Sequence, residues 1–188
     1  MSDIASSLKD ALNSVVSGAG NVVETTRDVT KDNVKGVLKA TGDIAATTVD
    51  TVADVIESGI KGISDTGVSI AQGITGLVTG AVDGARDIGK DVGKTAEGAA
   101  RGVIKGVHGV GGDVGSAAVS SVQGIISSAG NIGGDAGELA KSAVVGTLHA
   151  ADEIGSEAGA IVRKALLNTA ALPHDIIDAL LHGTKEDK

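Results

Sequence analysis

The sequence predicts an all-α protein built from long amphipathic helices, and three observations carry that expectation. Apolar residues return every eleven positions through nearly the whole chain. A second alternation, of bulky and empty positions, returns every 22. Phe, Tyr, Trp and Cys are absent, whereas Gly occurs 29 times and Pro once. Eleven residues in three turns is about 3.67 per turn, the period of a nearly straight α-helix. Aromatic side chains supply the largest buried areas of ordinary cores. Without them the chain is expected to build thin layers of Ala, Val, Ile and Leu rather than one deep core.

The first element spans residues 1–20. Ile4, Leu8, Leu12, Val15 and Val16 fall at helical spacing with few glycines between them, which predicts an N-terminal amphipathic helix. Residues 21–172 form the eleven-residue repeat region. Its apolar register runs through Val22, Ile44, Val55, Leu77, Ile88, Val110, Ile132 and Ile154. An interleaved set runs through Val37, Ile70, Val92, Val103, Val114 and Ile125. On a helix these positions merge into a stripe about 160° wide, broader than a coiled-coil seam. The region is Thr- and Asp-rich early and Gly-rich from about 73 to 159. Residues 173–188 come last. Pro173 breaks the pattern, His174 and Asp175 cap a short helix through Leu181, Gly183 stops it, and a charged tail follows.

The 22-residue alternation singles out packing positions. Ile104, Val122, Ile126, Val144 and Leu148 stand in bulky units as candidate knobs. Gly89, Gly93, Gly111, Gly115, Gly133 and Gly137 stand in the empty units between them as candidate notches. Small residues at such spacing let helix backbones approach closely. Two chain paths fit this grammar. In one, each unit ends in a turn, as in Gly130-Asn131-Ile132-Gly133-Gly134-Asp135, giving a stack of helices of about 16 residues. In the other the helices run on. The eleven-residue phase continues across every such turn, and Gly42–Ala46 and Asp152–Glu157 make poor turns. Long helices, extended or folded once or twice, are therefore favoured. Each interior Gly disfavours helix by about 1 kcal/mol relative to Ala, so such helices need a surface or a partner to hold them.

Charge is distributed unevenly about the stripe. One rim carries Asp10, Asp32, Asp43, Asp65, Asp87 and Glu153, and the opposite rim Lys9, Lys31, Arg86, Lys141 and Arg163. Parallel neighbours would bring unlike rims together, and antiparallel neighbours like rims.

Chemistry finds little purchase. With no Cys there is no disulfide, thiolate metal site or Cys nucleophile. A net charge of −8 gives nucleic-acid binding no electrostatic support. No stretch reaches the roughly 18 consecutive apolar residues of a membrane span. Met1-Ser2-Asp3-Ile4 lacks the features of a secretory signal, which favours a cytoplasmic location. Gly93-Lys94-Thr95 has the ending of a phosphate-binding loop, but Ile88 stands where that loop needs Gly. His108, His149, His174 and His182 form no pair at helical chelating distance. Asp87 with Asp91, and Asp152 with Glu153, lie on the acidic rim, where nothing apolar raises a carboxyl pKa. The expectation is a protein with no catalytic residue, no metal and no cofactor.

The stretches Gly59-Ile60-Lys61-Gly62-Ile63-Ser64-Asp65-Thr66-Gly67-Val68 and Gly76-Leu77-Val78-Thr79-Gly80-Ala81-Val82-Asp83-Gly84 resemble the eleven-mer repeats of perilipins and α-synuclein. The 22-residue double unit is similar to that of exchangeable apolipoproteins, and the periodicity to late-embryogenesis-abundant proteins. The resemblance implies a reversible coat on membranes, lipid droplets or storage granules, or a protectant that folds on drying. The chain departs from those families in its net acidity and in its alternation of bulk and notch. These departures favour helix–helix association. The expected function is a structural one, self-association into a homo-oligomer, filament or scaffold. A lipid surface or a larger protein complex is the alternative partner.

Overall fold

The computed structural model describes residues 2–17, 21–41 and 45–169. All regular structure among them is helical: α1 (Ser2–Ser17), α2 (Val22–Thr41), α3 (Ala45–Ser64), α4 (Ile70–Asp87), α5 (Val92–Gly109), α6 (Val114–Ile132), α7 (Ala136–Ile154) and α8 (Ser156–Leu167). The all-α expectation holds. The long-helix expectation does not, because the chain reverses after every helix, and none exceeds 20 residues. The expected C-terminal helix through Leu181 lies outside the described residues.

The reversals have a local cause, repeated with the 22-residue spacing. Gly67, Gly89, Gly111 and Gly133 adopt φ between +66° and +73°, a left-handed conformation that costs an L side chain about 1–2 kcal/mol. The amide of Gly111 donates to His108 O at 3.0 Å and that of Gly112 to Val107 O at 2.8 Å, closing the last turn of α5. Gly89 and Lys90 close α4 in the same way, on Arg86 O and Ala85 O. Two residues after each of three such glycines an aspartate opens the next helix. Asp91 accepts from the amide of Lys94, Asp113 from Gly115 and Ser116, and Asp135 from Gly137 and Glu138. The unit Gly-X-Asp therefore ends one helix and caps its successor within three residues. The apolar phase survives these turns because their spacing is two whole eleven-residue repeats. Sequence periodicity alone reads straight through them.

Each helix packs on the next and on the next but one, and on no other among the described residues. Consecutive helices are antiparallel hairpin partners: Ile63 of α3 meets Gly73 of α4, and Leu77 meets Gly59. Alternate helices run parallel, with a steady register in which Gly80 meets Arg27, Gly102 meets Ala53 and Gly146 meets Glu97. The result is a two-layered ribbon, with α1, α3, α5 and α7 in one layer and α2, α4, α6 and α8 in the other. Its core is the seam between layers. Leu38, Ile56, Ile60, Ile63, Ile74, Leu77, Ile104 and Ile125 are fully buried there, interspersed with Ala81, Ala85, Ala99, Ala100 and Ala118. At about 25 cal/mol per Å² of apolar surface removed from water, this seam supplies the main drive for helix formation that the glycines weaken.

Candidate functional site

The features that distinguish this molecule are its parallel helix seams, so these form the candidate site. Along α4, Gly76, Gly80 and Gly84 occur four apart, and along α5 Gly98, Gly102 and Gly106 do the same. All six are buried. A Cβ at Gly76 would lie 2.7 Å from Val23 O, and one at Gly84 2.9 Å from Lys31 O. At Gly80, Gly102 and Gly146 it would overlap the carbonyl oxygens of Arg27, Ala53 and Glu97. Only hydrogen in the side-chain position admits the neighbouring backbone this closely, bringing Cα–H groups against carbonyls.

These close-approach glycines are not the candidate notches read from the alternation. Gly89, Gly111 and Gly133 sit at the left-handed turns, where a Cβ would meet nothing within 4 Å. Gly93, Gly115 and Gly137 stand in the first turn of α5, α6 and α7 beside the capping aspartates. Among the candidate knobs, Ile104, Val122 and Val144 are buried in the chain's own core, while Ile126 and Leu148 are half-buried against it. The signal that marks the true seams was present as a second set: Gly80, Gly102, Gly124 and Gly146, 22 apart, alternating with Asp91, Asp113 and Asp135. In the fold the glycines of that set face a parallel neighbour and the aspartates are caps.

Ion pairs reinforce the parallel seams. Lys31 of α2 reaches Asp87 of α4 at 2.7 Å, joined by Lys35 at 3.6 Å. Arg101 of α5 spans three helices, its Nη1 2.7 Å from Asp50 of α3 and its Nη2 2.7 Å from Glu153 of α7. Lys105 adds a second contact to Glu153 at 2.8 Å. Lys9 of α1 faces Asp65 of α3 at 3.6 Å. The hydrogen bond from Lys31 holds the Asp87 carboxyl below the usual range, and that from Lys105 does the same for Glu153. Asp113 is lowered chiefly by the amide and hydroxyl of Ser116. The residues weighed for chemistry thus have structural partners. Asp87 and Glu153 are bridged, Asp91 is a cap, and Asp152 pairs with Arg163 at 2.6 Å. Lys94 pairs with Glu97 at 3.0 Å, and Thr95 is buried with its hydroxyl on Asp91 O. His108 and His149 are exposed or half-exposed at the surface, and His174 and His182 lie outside the described residues.

Where a seam position carries serine instead of glycine, the N-terminal halves of parallel helices part. Ser142 takes the place of Gly98 on α7, and a groove of about 360 Å³ opens there between α5 and α7, lined by Lys94, Glu97, Glu138 and Lys141. Ser120 takes that place on α6, and a smaller apolar cleft of about 140 Å³ opens against Ile70, Ala71 and Ile74 of α4. A third groove, about 420 Å³, lies between the starts of α6 and α8, with Val114, Ile154, Ala158 and Ile161 in its wall. Among the described residues no group of His, Asp and Glu is placed to hold a metal. No described helix is long and apolar enough to cross a membrane.

The chain matches no protein-family model, and no curated protein matches it.

Proposed function

We propose that this protein is a non-catalytic structural element, a helical ribbon whose copies join into larger assemblies. One observation carries the reading. The same two contacts, to the next helix and the next but one, recur along the chain, and no contact among the described residues closes the ends on each other. Repeat folds of this kind are quasi-one-dimensional, and an end that lacks a polar cap is a joining surface. Both exposed large apolar side chains among the described residues, Ile161 and Leu167, lie on the last helix of the stack. Glycine seams and carboxylate–base bridges, which organise the chain internally, are chemistry that a second copy can continue. Molar mass by light scattering, measured beside far-ultraviolet circular dichroism in plain buffer, tests this. The expected result is a strongly helical spectrum and a mass that is a multiple of 18.3 kDa, rising with concentration. A monomer at all concentrations, or a coil-like spectrum, overturns it.

A second reading, a reversible coat on lipid, draws on the thinness of the core. The stripe buried between the layers is built from Ala, Val, Ile and Leu, side chains that suit an interfacial helix as well. On that reading liposomes compete with the ribbon, and the protein floats with vesicles at low salt. Recovery in the soluble fraction would end it.

A further inference from the structure

The helices are not equally secured, and the difference falls on one layer. On α4, α5 and α7 a glycine abuts a backbone carbonyl of the parallel neighbour. On α6 the corresponding residue, Gly124, meets the Val78 side chain at 2.7 Å, and the nearest backbone atom of α4, Thr75 Cα, is 3.5 Å from its side-chain position. Ser120 and Ser128 stand where α4 has Gly76 and Gly84, and the cleft beside Ser120 separates the N-terminal halves of α4 and α6. On its other side α6 meets α8 through Gly115, against the side chains of Ile161 and Ala165 at 3.1 and 3.3 Å, with a further groove beside them.

Charge sharpens the contrast. From Val114 to Ile132, α6 contains no Asp, Glu, Lys, Arg or His, so it can make no ion pair with α4, α5, α7 or α8. The seams that bypass it are bridged: α2 to α4 by Lys31, and α3 to α5 to α7 by Arg101 and Lys105. Its own hydroxyls turn inward, Ser121 to Ala118 O and Ser128 to Ile125 O. What holds α6 is apolar contact through Val122, Ile125 and a few alanines.

We infer that α6, together with α8 beside it, is a built-in opening segment: it detaches from α4 as a unit while α2–α4 and α3–α5–α7 stay closed. The hinges are in place. Gly111-Gly112 leads into α6 and Gly133-Gly134 leads out, each pair containing a left-handed residue that sets no side-chain contact. Local opening of this sort proceeds without global unfolding when few contacts secure the segment.

Hydrogen exchange of the full chain, read by peptide mass, tests the inference. Amides of α6 and α8 are expected to exchange at least about tenfold faster than those of α3, α4 and α5 in plain buffer. Equal protection across the ribbon overturns the idea. A second measurement uses the absence of native cysteine. Thr75→Cys with Gly124→Cys places two thiols across the α4–α6 seam within disulfide reach. Oxidation is expected to slow exchange in α6 to the rate of α4 and to leave α3 and α5 unchanged. If the oxidised and reduced forms exchange alike in α6, the inference fails. It stands apart from self-association, since exchange is read at a concentration where the mass is constant.

Discussion

Glycine at a seam and glycine on a free face should respond in opposite directions to the same substitution, and the repeat provides both at one position. Gly36 and Gly80 occupy corresponding places on α2 and α4, in helices of similar length. Alanine at Gly36 meets nothing within 4 Å. It should therefore deliver the ordinary helix-propensity gain of about 1 kcal/mol. Alanine at Gly80 carries the same gain, but its Cβ overlaps Arg27 O and lies 2.9 Å from Thr30 Cβ and 3.1 Å from Arg27 C. A backbone carbonyl cannot rotate away as a side chain can, so α2 and α4 must separate. Overpacking of this kind costs roughly 1–3 kcal/mol, and against a backbone the upper part of that range applies. The net expectation is a loss of about 1–2 kcal/mol at Gly80 against a gain of about 1 kcal/mol at Gly36. For a chain of this length each kcal/mol moves the thermal midpoint by about 2–4 °C. The assay is thermal unfolding followed by circular dichroism at a helix-sensitive wavelength, since the chain has no Tyr or Trp to report by fluorescence. If Gly80→Ala raises the midpoint as Gly36→Ala does, the parallel close approach is wrong and the register built on it goes too.

Two further predictions concern the turns and the carboxylates. Gly111→Ala places a side chain in open space but at φ +73°, so it should destabilise by about 1–2 kcal/mol through backbone strain alone, and Gly111→Asn by less; urea midpoints separate the two. Asp87, Asp113 and Glu153 all have carboxyl pKa values lowered in the folded chain, by Lys31, by Ser116 and by Lys105 respectively. Their contribution is therefore fully present above the unfolded values near about pH 4 and is lost as pH falls through and below them. Thermal midpoints measured from about pH 7 to about pH 3 should fall at the acid end, less steeply in Asp113→Asn, and a flat profile would contradict the bridging scheme.

The sequence by itself determined that this chain is helical and where its helices bury their apolar side. Leu77, Val103, Ile125 and Val162 lie on the predicted stripe and are buried, because the period of apolar residues fixes a helix face before any partner is known. It also carried, in the alternation of Gly80, Asp91, Gly102 and Asp113, both the seams and the caps. What it could not decide was which glycines break a helix and which notch it. Gly111 and Gly102 are the same residue with the same spacing. One is left-handed because an Asp cap two residues on can receive the chain, and the other is helical because Ala53 O leaves no room for a Cβ. That choice belongs to the tertiary structure, since a close approach exists only once the neighbouring helix has arrived. The ion pairs follow the same logic. Opposite rims were legible, but joining Arg101 to both Asp50 and Glu153 required parallel neighbours on either side, which the repeated reversals alone supply.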